Sequence, residues 1–132
     1  MSVVTTEQTE YRGDTWTIAI PGMDSLAART KLWFTVKRSK SDYDSAALVM
    51  IEETAGLLYI AGKAAATAAN GSITVTNAAA GNITVTVKGT ETFKLPVVDD
   101  IFYDVQMLTA SGPKTMAIGV FNIRADVTRV TA

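Results

Sequence analysis

The sequence predicts an all-β fold in which antiparallel strands pack as a sandwich. Short runs of alternating apolar and polar residues dominate the chain, and turn signals separate them at intervals of roughly ten residues. Hydrophobic residues make up 48% of the 132 positions and charged residues 19%, which is enough apolar material to bury a core. We therefore expect one domain over residues 1–132, with extended tails at 1–10 and 126–132.

Two strands are indicated in the first third of the chain. Residues Trp16–Ile20 alternate large apolar with smaller or polar side chains, and Pro21-Gly22 ends the run. A longer alternating segment covers Thr30–Arg38. The polar residues Lys37–Ser45 that overlap its end predict an exposed loop, either a solvated connection or a binding loop.

The middle of the chain is less uniform. Leu48–Ile51 and Leu57–Ile60 are short apolar runs on either side of a glycine, which favours two strands over one helix. Ala61–Ala69 fits either a short helix or an irregular loop. Gly71–Asn77 and Gly81–Val87 both carry Ile-Thr-Val-Thr after a glycine, and a hairpin with outward-facing threonines is one interpretation.

The last third ends the domain. Thr90–Leu95 is typical of a single helical turn, and Ile101–Leu108 alternates as a strand with Asp104 and Gln106 on one face. After a turn signal, Thr115–Ile123 is apolar on both faces, and Gly119 marks a bulge or a close backbone approach. The pattern over the whole sequence thus predicts about seven to nine strands with at most one or two short helical turns.

One spacing favours an immunoglobulin-like form of the sandwich. Asp99 precedes Tyr103 by four positions and Val105 follows it by two, as around the tyrosine corner of such domains. Trp33 fits the core tryptophan of an earlier strand. The alternative is that Tyr103, Val105 and Trp33 are ordinary core residues.

Composition excludes many functions. The chain has no His and no Cys, which removes disulfides, thiol nucleophiles, zinc sites of the usual kind and the Ser-His-Asp triad. Twelve basic against thirteen acidic residues give a net charge of −1, so neither nucleic acid nor an anionic membrane is an expected partner. The N-terminus lacks the features of a signal peptide, and we expect synthesis and folding in a cytoplasm.

The acidic pairs do not indicate catalysis or metal binding. Adjacent Asp99 and Asp100 point to opposite faces of an extended chain, and we expect them to cap a turn. Asp42 and Asp44 lack the spacing of a calcium loop. We therefore expect no enzyme activity, no cofactor and no metal.

Aromatic residues offer a candidate contact for a glycan or a protein partner. Most of them fall within strand patterns and are expected in the core, but Tyr43 and Tyr59 are candidates for exposed positions. The tripeptide Arg12-Gly13-Asp14 is more consistent with a turn into the next strand than with a recognition motif.

Several segments follow one another in an order that is less common than the segments themselves. They are Tyr11–Trp16, Leu32–Arg38, Ala47–Val49, Asn70–Val75, Phe102–Met107, Gly119–Ile123 and Asp126–Arg129. This order resembles the immunoglobulin-like domain of tailed-bacteriophage tail and baseplate proteins, including the N-terminal domain of baseplate upper proteins. The resemblance runs from about Tyr11 to Arg129, nearly the whole chain.

The resemblance implies a non-enzymatic virion component of the tail, baseplate or fibre-attachment region, acting as an adaptor or docking subunit. Its partners would be other phage structural proteins and copies of itself in an oligomer or ring. Relatives commonly continue into receptor-binding modules, whereas this sequence stops at Ala132, and the Ala-rich segment is unusual; both favour an adaptor over a receptor-binding protein. The alternatives are a carbohydrate-binding or adhesin-like sandwich and a head decoration or neck subunit.

Overall fold

The computed structural model describes residues 3–126, which form eleven strands, one helical turn and two 3-10 turns. The strands are β1 (Val4–Thr5), β2 (Gln8–Tyr11), β3 (Trp16–Ile20), β4 (Lys31–Lys37), β5 (Val49–Glu52), β6 (Gly56–Ile60), β7 (Lys63–Ala64), β8 (Gly71–Asn77), β9 (Asn82–Val87), β10 (Val98–Thr109) and β11 (Gly112–Arg124). The helical turn α1 spans Gly89–Thr92, and the 3-10 turns span Asp44–Ala46 and Ala68–Asn70. The strand count exceeds the expected range partly because β1 and β7 have only two residues each, too few to leave a pattern in the sequence.

The strands form two sheets. The large sheet has the order β1-β11-β10-β4-β5-β6-β7, with β2 also paired to β11, and the small sheet has the order β3-β9-β8. Neighbouring strands are antiparallel except that β1 and β2 run parallel to β11. The all-β immunoglobulin-like sandwich predicted from the sequence is confirmed.

The core lies between the sheets, and most strands contribute every second side chain to it, whereas all four residues of β5 are buried. In β3 the even positions, Trp16, Ile18 and Ile20, are buried and the residues between them are exposed. Phe121 of β11 packs against Trp16 with ring centroids 5.3 Å apart and lies edge-on to Tyr103 at 6.2 Å. These aromatic rings join the two sheets into one hydrophobic core.

Local predictions fared differently along the chain. Leu48–Ile51 and Leu57–Ile60 are indeed two strands, the antiparallel pair β5 and β6, and the two Ile-Thr-Val-Thr segments are the hairpin β8–β9. Ala61–Ala69 contains no α-helix and is mostly irregular, with a two-residue strand and the start of a 3-10 turn. The hairpin forms because the Ile and Val side chains of both strands share one buried face.

The tyrosine corner is not formed. The Tyr103 hydroxyl bonds to Thr6, far from its own strand in sequence, and Asp99 pairs instead with Arg124. The prediction that Trp33 is the core tryptophan is also wrong, because Trp33 faces away from the core and Trp16 fills that role. The spacing of Tyr103 and Val105 was not specific for a tyrosine corner, because a tyrosine two residues before a buried valine occurs in any strand with alternating burial.

The ends of the described range belong to the large sheet. Residues 4–5 and 8–10 of the segment expected as an N-terminal tail lie in β1 and β2, which pair with β11. Of the expected C-terminal tail only Asp126 falls within the described residues, and it lies near Arg12 with the ion pair at 3.9 Å. Asp99 and Asp100 do not cap a turn but lie in β10 at a bulge, where Asp100 has a positive φ of 58°.

Candidate functional site

The outer face of the large sheet carries a hollow of about 460 Å³. Strands β4, β5, β10 and β11 and the loop after β4 line it. Small-molecule sites usually enclose roughly 300–1,000 Å³, so the hollow is large enough for a ligand of a few rings or fewer. Its position on the face opposite the core means that it is not a packing defect of the sandwich.

Two cross-strand pairs form the floor of the hollow. The register of β4 and β10 places Thr35 opposite Asp104 and Trp33 opposite Gln106. All four side chains point outward because their neighbours along each strand point into the core. Four neighbouring side chains on one face of the sheet therefore present a hydroxyl, a carboxylate, an indole and an amide.

The polar atoms of these four side chains have spare hydrogen-bonding capacity. Among residues 3–126 none of them bonds to another residue, and none is closed off from solvent. Thr35 is the most enclosed, with only 8% of the residue exposed. Groups this close to burial are normally hydrogen-bonded in proteins, so a ligand with matching groups would complete the set.

The rim of the hollow is charged and braced. Lys37 Nζ donates to Asp44 Oδ1 at 2.7 Å and to the Asp42 backbone carbonyl at 2.9 Å, which ties the loop after β4 to its strand. The Lys40 ammonium lies 4.9 Å from the centroid of the Phe102 ring, in the range of a cation–π contact. The aromatic face of Phe102 is thus already covered, whereas Trp33 has no aromatic partner in the described part of the chain.

The electrostatics of the floor centre on Asp104. Burial raises the pKa of its carboxyl above the ordinary 3.8, the attraction of Lys37 lowers it in part, and the nearby Asp44 carboxylate raises it again. A carboxylate that is poorly hydrated and lacks a hydrogen-bond donor is a strong acceptor for a ligand. We assign Asp104 as the polar centre of the hollow.

A second surface feature is an apolar end patch made of Tyr11, Phe93 and Val97. These large side chains are 49%, 56% and 50% exposed. The ladder of β2 and β11 places Tyr11 opposite Arg124, whose Nε donates to Asp99 Oδ1 at 2.8 Å, two residues after Val97. Tyr11 and Val97 therefore lie at the same end of the sandwich.

Helical turn α1 brings the third member to that end. The buried hydroxyl of Thr92 accepts a hydrogen bond from Gly13 N at 3.1 Å and donates to Asp14 O at 2.7 Å, next to Phe93. Gly13 has a φ of +89° and turns the chain into β3, as predicted for the tripeptide that contains it. These two hydrogen bonds join the loop after Tyr11 to the turn that carries Phe93, so Phe93 lies at the same end of the sandwich as Tyr11.

The sequence-predicted contact residues lie outside both features. Tyr43 is 84% exposed, beside the 3-10 turn that carries Asp44. Tyr59 is partly buried on β6, opposite Met50 of the hollow in the β5–β6 ladder. Neither tyrosine is part of the hollow lining. Sequence reasoning placed Asp104 and Gln106 on one face of their strand but could not align that face with Trp33 and Thr35.

Two further observations bear on the kind of protein. Over residues 3–126 no group of three or more Asp, Glu, His or Cys side chains is arranged to hold a metal ion. In the same range no helix has the length and apolar character needed to cross a membrane.

The chain is thus an immunoglobulin-like β-sandwich, and its large sheet has the extended form that variable-type domains build by adding strands. The search against family models found no match. The search of curated proteins found none either. Among solved structures it is similar to the natural killer cell receptor NKp44, described as a triggering partner in natural cytotoxicity, with a TM-score of 0.52 and 15% identity over 96% of this chain and 100% of that one. At that identity the likeness establishes the fold alone.

Proposed function

We propose that this chain is a non-enzymatic docking subunit of a bacteriophage particle, in the tail, baseplate or fibre-attachment region. The order of β segments from Tyr11 onward, which resembles phage tail and baseplate domains, supports the phage setting. The proposed partners are other structural proteins of the particle and further copies of the chain in an oligomer or ring. The proposed location is the virion.

The apolar end patch is the observation that carries the docking role. Tyr11, Phe93 and Val97 are three of the five large apolar side chains that are exposed in the described residues, and hydrogen-bonded segments hold them at one end. Large apolar side chains left exposed at one end of a domain are typical of a surface that a neighbouring protein covers. Burial of those side chains would supply the association energy, and the charged residues around them would set the orientation.

Mass spectrometry of purified particles tests the particle assignment. We expect the chain in intact virions of the phage that encodes it, and its absence from them would overturn the proposal. Separation of heads from tails before the measurement distinguishes the tail and baseplate region from a head decoration or neck position.

A double variant tests the docking surface. Phe93→Ser with Val97→Ser should leave the core intact, because both side chains are about half exposed, yet strongly reduce incorporation into particles. Tyr43→Ser is the matched control, since Tyr43 is more exposed than either and lies outside the end patch. Equal incorporation of the double variant and the control would contradict docking through this end.

A further inference from the structure

We propose that the hollow on the outer face of the large sheet is a binding site for an uncharged saccharide, with Trp33, Thr35, Asp104 and Gln106 as its contact residues. This site is distinct from the apolar end patch and does not rest on the proposed docking function. A subunit could dock through one end and bind a glycan through its sheet face. The class of ligand follows from four properties of the lining.

The first property is the mixture of donors and acceptors. Asp104 accepts, the indole of Trp33 donates, and Thr35 and Gln106 do both. All four have free capacity among the described residues. A sugar presents several hydroxyls within a few ångströms of each other, each able to donate and accept, and so matches this alternation.

The second property is the aromatic surface beside these groups. Trp33 is outward-facing and partly exposed, and in residues 3–126 no aromatic or cationic side chain stacks on its ring. The C–H face of a pyranose ring is apolar and flat enough to lie on an indole while its hydroxyls point to the polar groups. Trp33 and Gln106 are opposite each other in the ladder, so one ring could reach both.

The third property is charge. The lining contains two positive side chains, Lys37 and Lys40, and two negative ones, Asp44 and Asp104, so its formal charges sum to zero. An anionic ligand would meet the two carboxylates and a cationic ligand the two ammonium groups. The lining therefore gives no net attraction to a charged ligand and favours a neutral one.

The fourth property excludes an apolar partner segment. An apolar side chain in the hollow would leave Thr35, Asp104, Gln106 and the Trp33 indole N–H without partners and without water. Unpaired buried polar groups oppose binding strongly, so a ligand must bring hydrogen bonds of its own.

The chain contains its own spectroscopic control for this proposal. It has two tryptophans, and the indole N–H of Trp16 is held in the core by a hydrogen bond to the Tyr11 carbonyl at 2.9 Å. In a proton–nitrogen NMR spectrum of the full chain, the Trp33 indole resonance should shift saturably on titration with at least one of the methyl glycosides of glucose, galactose, mannose and N-acetylglucosamine. The Trp16 resonance should stay in place.

Variants then locate the site. Asp104→Asn and Gln106→Ala should each weaken the binding of the responding glycoside about tenfold, while Tyr43→Ala and Tyr59→Ala should leave it unchanged. An unshifted Trp16 resonance in each variant shows that the fold has survived. Glucuronate should bind no better than methyl glucoside, since the lining has no net charge.

Three results would overturn the proposal. They are the absence of a saturable Trp33 shift with every glycoside, loss of binding in Tyr43→Ala or Tyr59→Ala with retention in Asp104→Asn and Gln106→Ala, and tighter binding of glucuronate. Each differs from failure of the proposed docking function, which is read from virion composition and from the Phe93 and Val97 variants.

Discussion

The Tyr103 hydroxyl donates a hydrogen bond to the backbone carbonyl of Thr6 at 3.0 Å and lies 2.7 Å from the Thr6 hydroxyl. Tyr103 is almost fully buried in β10, whereas Thr6 lies in the link between β1 and β2. This pair therefore anchors the N-terminal segment to the middle of the large sheet. The anchor crosses beneath Gly119 of the intervening strand β11, whose missing side chain leaves room for it.

Removal of the anchoring hydroxyl should loosen the N-terminal segment. We expect Tyr103→Phe to lower the free energy of unfolding by about 1–2 kcal/mol, because a partly buried carbonyl loses its donor while the ring still packs. Hydrogen exchange should speed up most in residues 3–11. Tyr43→Phe is the control and should change neither quantity, and a uniform change in exchange across the sheet would contradict the anchoring role.

Addition of a methyl group at Gly119 should have a larger effect. A Cβ there would lie 2.0 Å from the Thr6 carbonyl oxygen and 2.8 Å from Tyr103 Cε1, so either the N-terminal segment or the ring must move. We expect Gly119→Ala to lower the free energy of unfolding by about 3 kcal/mol or more. Gly22→Ala, where φ is +77° but the space is open, should lower it by only about 1 kcal/mol in the same denaturation assay. Similar values for both would mean that the segment relaxes freely.

Glu91 should make the stability depend on acid pH. Its carboxylate is only 3% exposed and accepts from Lys94 Nζ at 2.7 Å and Asn70 Nδ2 at 2.8 Å. Burial alone would raise the pKa of Glu91, but these hydrogen bonds and the charge of Lys94 outweigh it and leave the pKa below the ordinary 4.5. The ionised form thus stabilises the fold above pH 4.5, and this contribution is lost as pH falls through the lowered pKa.

The measurement is urea denaturation as a function of pH. We expect Glu91→Gln to be less stable than the parent by about 1–2 kcal/mol at neutral pH, with the difference shrinking as pH falls below 4.5 through the lowered pKa of Glu91. Two stability curves that run parallel across the whole pH range would show that the Glu91 charge contributes nothing.

Ionisation of Asp104 should change the stability in the opposite direction to ionisation of Glu91. Because burial raises the pKa of Asp104, the folded state holds the proton more readily than the unfolded state, and stability declines as pH rises from 3.8 through the raised pKa. Asp104→Asn removes this penalty, so its thermal midpoint should exceed that of the parent at neutral pH and converge with it in acid. A lower midpoint at neutral pH would indicate that attraction between Asp104 and Lys37 outweighs desolvation.

The strands were predictable because their signal is local. In β3 and in the β8–β9 hairpin, large apolar residues alternate with threonine or small residues, so the pattern along the chain already indicates which face is buried. The close approach at Gly119 was also predictable as one of two options, since a glycine inside an apolar strand implies a bulge or a near neighbour. The glycine itself could not reveal that Thr6 was that neighbour.

The hollow was not predictable for a related reason. Trp33 and Gln106 are 73 positions apart in sequence, and they meet only because β4 and β10 pair in one register. A one-residue shift of β4 against β10 would have turned β4 over and placed Trp33 in the core, which is where its hydrophobicity suggested. Sequence patterns separate the two faces of each strand, but the pairing register of the whole sheet determines which residues of distant strands lie side by side.

Parallel pairing of β1 and β2 with β11 has a mechanical consequence. Val4 lies beside Ala117 and Tyr11 beside Arg124, so residues 3 and 126 leave the ladder of β1 and β2 with β11 at opposite ends. A pull applied between those two residues would act along the strands and load all the hydrogen bonds between them together, in shear, rather than open them one after another. The ladder is therefore expected to resist tension between residues 3 and 126, and a force spectrometer should find slower unfolding under that pull than under one that peels β1 and β2 off β11 from one end.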